Sequence, residues 1–266
     1  MGHARGVVDA RGAVGDSGAT DASWSGPRPL AALGVLGLSW CFTYTPPVTD
    51  PDSIRRRWLE RLGQPAILDF PFAAIEEVFP VTAGISIAMV EVGSGSISVS
   101  DRLEAVGFAP CSTDVEVLRI ESPVPERREV SEIAFAAAGS VVGVHLAHDP
   151  ATSIIAGQCL APAGRLEART RFAADVWCLP PDELPGTPPE QQALCDAITA
   201  GHGLEVFVHT RAIRARACSL WRPSLGAETE LEFELDAPVA VYPGTRFGLC
   251  YEGLTFGAGF VRTAGA

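Results

Sequence analysis

Residues 138–180 read AGSVVGVHLAHDPATSIIAGQCLAPAGRLEARTRFAADVWCLP, and apolar and polar positions alternate along most of that length. A period of two is the pattern of a strand with one face buried, and Gly/Pro punctuation between such runs marks antiparallel β-structure. The reading gives a strand from Val141 to Leu146, a turn from His148 to Thr152, and a short apolar edge at Ile154 and Ile155. Gly157-Gln158-Cys159-Leu160 follows. A Pro162-Ala163-Gly164 break ends this unit, and a long alternating strand from Leu166 to Leu179 begins the next.

The same alternation recurs elsewhere. Ile85 to Val92, Leu204 to Thr210, Ile213 to Leu220 and Glu230 to Leu235 all read as strands. Gly 27 and Pro 21, without long helical periodicity, favour an all-β chain. One helix is expected, Ser53 to Leu62, capped by Asp50 or Asp52 and stopped by Gly63. Its Arg55-Arg56-Arg57 run reads as a solvated face. Residues 180–202 read as a Pro-rich connector.

Residues 1–28 are rich in Gly, Ala, Asp and Ser and lack periodicity, which reads as disorder. The apolar run from Leu30 to Phe42 is shorter than the about 20 residues that a membrane helix needs. As a signal peptide it is poor, since acids precede it and no A-x-A site follows. A mis-assigned start, or a tail packing on a partner, is an alternative. Gly15-Asp16-Ser17-Gly18 resembles a serine-protease nucleophile loop but has no strands or partner residues around it, and a triad is a geometry.

The order of motifs resembles one family. Gly139, Val142, Gly143, Val144 and Leu146, then Gly157, Gln158, Leu160, Ala161 and Gly164, then Thr170, Phe172, Ala174, Val176 and Leu179 follow the join between the second and third domains of elongation factor Tu. Pro71-Phe72-x-x-Ile75-Glu76-x-Val78-Phe79 is similar to the family's entry into the second domain, and Val115-Glu116-x-x-Arg119 to its V-E-M-[FH]-R. Val99 to Gly107 follows V-G-[DE]-x-V-x-I-V-G, with Ser100 in place of the first glycine. Ser94-Gly95 reads as an insertion at a hairpin. Pro238-Val239-Ala240, Arg246-Phe247 and Gly257-Ala258-Gly259 match the third domain.

The resemblance covers about residues 69–262. It implies two consecutive antiparallel β-barrels, the domain 2 type over 69–162 and the domain 3 type over 163–266. A disordered leader (1–50) and a short helix with linker (51–68) precede them. It does not extend to the family's GTPase domain. All 20 cationic residues are Arg, and the chain has no Lys and no Asn. Neither a P-loop lysine nor an N-K-x-D guanine motif can therefore be written. No GTP, no cofactor and no enzymatic activity are expected.

By position, the resemblance implies that Glu116, Leu118, Arg119, Gly139 and Val141 line a wall for the aminoacyl end of tRNA. The family's G-D-N-V-G is replaced by Gly139-Ser140-Val141-Val142-Gly143. Its R-E-G-G-R-T is replaced by Tyr251-Glu252-Gly253-Leu254-Thr255, which removes two arginines that could meet phosphate. Net charge −12 also argues against an extended nucleic-acid surface. The expectation is a cytoplasmic binding module for a protein partner or for tRNA or another RNA, with no membrane. A role in translation elongation, with the GTPase supplied by another chain, is the alternative.

The histidines and cysteines suggest no metal. His145 and His148 are three apart on a strand and face opposite ways, so they read as surface residues beside Asp149. His209 shows no partner in sequence. The seven cysteines are widely spaced without a C-x-x-C pair, and they read as buried thiols of a reducing compartment. The acid pairs Glu76/Glu77 and Asp182/Glu183 lack an associated nucleophile.

Overall fold

A computed structural model of the chain describes residues 68–124, 129–184, 186–201 and 203–264. The expected leader and the helix over 53–62 lie outside these residues, as do His202 and most of the charged loop at 126–129. The fold is all-β and contains two closed six-stranded antiparallel barrels.

The first barrel is built from β1 (Phe72–Thr82), β2 (Ile85–Ser94), β4 (Arg102–Val106), β5 (Thr113–Val124), β8 (Val141–His148) and β9 (Cys159–Ala161). They run in the order β4-β9-β1-β2-β8-β5, and β5 pairs back to β4. The short β6 (Glu129–Ile133) is added outside on β5, and β3 (Ser96–Ser98) pairs with β7 (Phe135–Ala137) in a separate ribbon. The alternation read from the sequence is the barrel wall. On β2, Ser86, Ala88, Val90 and Val92 are buried, while Ile85, Ile87, Met89 and Glu91 lie half-covered on the other face. Ile75, Val117, Ile120, Val144, Leu146 and Leu160 complete the interior. Each such aliphatic side chain contributes roughly 1.5–3 kcal/mol on burial.

The register of β5 against β8 slips between Val117 and Arg119. Leu118 is the extra residue of this bulge and stays exposed. Ser100, where the family has glycine, has φ +74. This is the left-handed region, which glycine enters without a Cβ penalty. Asp101 compensates in part, because its carboxylate accepts the Ser98 N–H at 2.7 Å.

The second barrel closes in the order β10-β13-β12-β11-β14-β15. Its strands are β10 (Ala168–Cys178), β11 (Leu204–Val208), β12 (Arg211–Ala217), β13 (Glu228–Ala240), β14 (Arg246–Tyr251) and β15 (Leu254–Ala264). Phe172, Phe233 and Phe247 form its centre, with ring centroids 5.3 to 5.8 Å apart. Gly259 makes this packing possible, since a Cβ there would lie 2.6 Å from the Phe247 ring and 2.5 Å from the Asp175 carbonyl oxygen. The β14–β15 hairpin turns on Glu252 and Gly253, both at positive φ, as a two-residue type I′ turn requires.

Four expectations are corrected. The connector after Leu179 contains a helix, α1 (Pro188–Thr199). Pro188 and Pro189 open it where no N–H partner is needed. The Glu190 carboxylate accepts the Thr187 N–H at 2.6 Å and the Thr187 hydroxyl at 2.9 Å. Gln191, Leu194, Cys195 and Ile198 are its buried stripe. Ser94-Gly95 is no hairpin insertion: β2 pairs with β1 and β8, and β3 pairs with β7. The dipeptide carries the chain out of the barrel into the ribbon. His148 belongs to the end of β8 rather than to the turn. Among the described cysteines, Cys159, Cys178, Cys195 and Cys250 are buried thiols, but Cys111 and Cys218 are exposed.

A third apolar cluster joins the barrels. Phe72, Val106, Cys159 and Ala161 of the first meet Ala240 of the second, with Leu166 of the connecting segment, and Phe70 and Tyr242 pack at the margin. The Phe108 N–H donates to the Pro238 carbonyl at 2.6 Å, and the Thr210 hydroxyl to the Ile75 carbonyl at 2.8 Å. Arg211 lies over the Phe108 ring, 5.3 Å from its centroid. Gly157 leaves them room: a Cβ there would meet Phe108 at 2.9 Å and Arg211 at 3.2 Å.

Candidate binding face of the first barrel

Of the residues assigned by resemblance, Glu116, Leu118, Arg119 and Val141 lie on the outer surface of β5 and β8, because the interior positions of both strands are already filled by Val115, Val117, Ile120, Val142, Val144 and Leu146. Glu116 stands opposite Ala147, and its carboxylate is 4.0 Å from the Arg102 guanidinium. Leu118 projects at the bulge. Arg119 is opposite His145 and holds two carboxylates, Glu121 at 2.9 Å and Glu132 at 3.1 Å. His145 Nε2 lies 3.4 Å from the same Glu121 carboxylate.

Gly139 and Val141 stand apart from these three. Gly139, at φ +87, turns the chain from β7 into β8, and its N–H donates to the Val92 carbonyl at 2.7 Å. Val141 is opposite Glu91 on β2. It lies four residues along β8 from the position facing Arg119, about 13 Å at the rise of a strand. The five residues therefore mark two ends of one face rather than one pocket.

Between and beside them the face is acidic. Glu91 is half-buried, and burial, then the charge of Glu76, pushes its carboxyl up to about 7. Glu76 is itself raised, first by burial and then by Glu77. Six carboxylates (Glu76, Glu77, Glu91, Glu116, Glu121, Glu132) stand against Arg102 and Arg119, and Arg119 is already engaged. Such a surface repels phosphate and suits a cationic or mixed partner. Sequence reasoning gave Glu91 no role at this face, although its outward position in an alternating strand and its place in Val90-Glu91-x-Gly93, which resembles the family's V-E-x-G, were available signals.

The histidines are not plain surface residues. His145 joins the Arg119–Glu121 group, and His148 Nε2 is 3.1 Å from the Ser86 hydroxyl. His209 is half-buried in the joint, where its Nε2 donates to the Ala240 carbonyl at 2.7 Å. Among the described residues no group of three or more His, Cys, Asp or Glu is placed to hold a metal ion. No helix among them is long and apolar enough to cross a membrane.

No protein-family model matches this chain. The two barrels are compatible with the fold that the motifs imply, and the assignment of roles rests on the face itself.

Proposed function

We propose that the chain is a non-enzymatic binding module, similar to the second and third domains of elongation factor Tu, and that it engages a protein partner through the outer face of the first barrel. The observation that carries this reading is the charge of the face. The resemblance places ligand contacts at Glu116, Leu118, Arg119, Gly139 and Val141, and carboxylates outnumber arginines there. The one cation at its centre, Arg119, is spent on Glu121 and Glu132. Leu118 gives the face an exposed apolar contact beside these charges, as interface cores favour.

The test is recovery of the tagged full chain with its bound material, RNA sequenced and protein identified by mass spectrometry from the same sample. The expected result is a protein that is retained by the native chain and lost with Leu118→Asp. A filter-binding comparison of charged and uncharged tRNA at physiological salt is expected to show weak binding without preference. A clear preference for the charged form, abolished by Glu116→Ala, would instead support aminoacyl-tRNA delivery.

A further inference from the structure

Arg246 opens β14, and its strand neighbours Phe247 and Leu249 point into the second barrel. Alternation puts Arg246 on the outer side, opposite Phe260 of β15. An outward arginine is ordinarily solvated. This one is only 9% exposed, and its Nε and both terminal nitrogens are buried with no hydrogen-bond partner. A guanidinium stays charged in a protein and presents five N–H donors. Burying such a fork without an acceptor is expensive, and a buried group left in that state calls for a counter-ion.

The surroundings supply further donors rather than acids. The preceding loop is pinned to the barrel, with the Gly244 N–H on the Val261 carbonyl at 2.7 Å and the Val261 N–H on the Thr245 carbonyl at 2.8 Å. The Thr245 hydroxyl is buried, accepts the Tyr242 N–H at 2.9 Å and also hydrogen-bonds the Tyr242 phenol, so the two hydroxyls form one donor pair beside the guanidinium. The Tyr242 phenol lies near Arg246, and burial keeps it protonated and neutral, so it brings no counter-charge. The Tyr242 ring also packs edge-on against Phe72, which fixes this corner to the joint between the barrels.

We propose that Arg246, with Tyr242 and Thr245 beside it, forms an oxyanion subsite at the edge of the joint, which takes the carboxylate or phosphate group of a small ligand. The pairing would satisfy the fork as a bidentate contact, the geometry in which arginine binds both groups. This site lies on the second barrel and does not depend on the function assigned to the first.

The experiment is a thermal-unfolding titration of the full chain with sodium phosphate and, separately, sodium acetate, each against sodium chloride at matched ionic strength. One of the two anions is expected to raise the midpoint saturably, by roughly 5–10 °C at a hundredfold excess over Kd. A response to phosphate assigns a phosphoryl ligand, and a response to acetate assigns a carboxylate. Arg246→Met should abolish the response and should unfold in chloride no earlier than the native chain, because it removes an unpaired buried charge. Arg246→Lys, which keeps the charge without the fork, should respond more weakly and serves if the methionine variant does not fold. No rise with either anion in the native chain would overturn the subsite. So would an equal rise in both variants, or a rise produced only by a glutamate-rich peptide.

Discussion

The phenyl ring of Phe72 in the first barrel lies 5.6 Å from the imidazole of His209 in the second. The two residues are 137 positions apart in the chain; Phe72 is buried and His209 half-buried. Phe72 is 6% exposed and also meets Tyr242. Truncation to Phe72→Ala should cost about 3–5 kcal/mol. Calorimetry of residues 65–266 is expected to show one cooperative transition for the native chain. Two separated transitions in that chain, each reproduced by a single barrel, would show that the joint does not couple them.

His209 gives the joint a pH dependence. Burial depresses its pKa below the ordinary 6.5, against a smaller opposing effect of the Ala240 hydrogen bond. The unfolded chain therefore binds the proton more readily. The resulting stability is present above pH 6.5 and is lost as pH falls through the folded-state value. His209→Gln should flatten the loss of midpoint between pH 7 and pH 5. An unchanged slope in that variant would show that His209 is not the titrating group.

Glu91 works in the opposite direction. Its carboxyl is raised from 4.5 to about 7, so the folded state holds the proton more tightly than the unfolded state. That contribution is complete below pH 4.5 and is lost as pH rises through about 7. Glu91→Gln should match the native chain near pH 4.5 and exceed it at pH 8, and chemical denaturation at the two pH values checks this. Equal native and variant stability at both would refute it.

At Ser100 a side chain occupies φ +74, where glycine carries no steric penalty. Ser100→Gly should stabilise the chain by about 1 kcal/mol. Gly157→Ala should do the reverse, by roughly 1–3 kcal/mol, since it strains a backbone at φ +93 and drives a methyl into Phe108. Urea unfolding of both variants measures each change, and loss of stability in Ser100→Gly would disprove the first.

Calorimetric titration of the chain with GTP is expected to give no saturable heat. With neither lysine nor asparagine in the sequence, the nucleotide-binding motifs of translational GTPases are absent. Micromolar binding would require a site unlike those.

The barrel walls were legible because burial on one face writes itself into alternate residues, as along Ile85–Ser94 and Ala168–Cys178. The helix α1 was hidden by its own prolines, although Thr187-Pro188-Pro189-Glu190 is a helix start once the stripe from Gln191 to Ile198 is counted. The joint left no local trace, because Phe72 with His209 and Ile75 with Thr210 meet only through the fold. The site fared in the same way. Motif order led to Glu116, Leu118 and Arg119, but the bulge at Leu118 and the distance to Val141 depend on register. The burial of Arg246 could not be read from a strand position that alternation assigns to solvent.

Closure of the first barrel leaves β6 paired on one side only, to β5, among the described residues. Its other side is a row of backbone donors and acceptors on which a strand from a second molecule could lie. The strand is five residues long, EVSEI, and two of the five are acids. Antiparallel addition of a second copy would bring like charges together on a chain whose net charge is already −12. Solubility at neutral pH is thus guarded at this edge by repulsion rather than by geometry. That protection weakens when salt screens the carboxylates or acid neutralises them, so storage conditions should be chosen with β6 in mind.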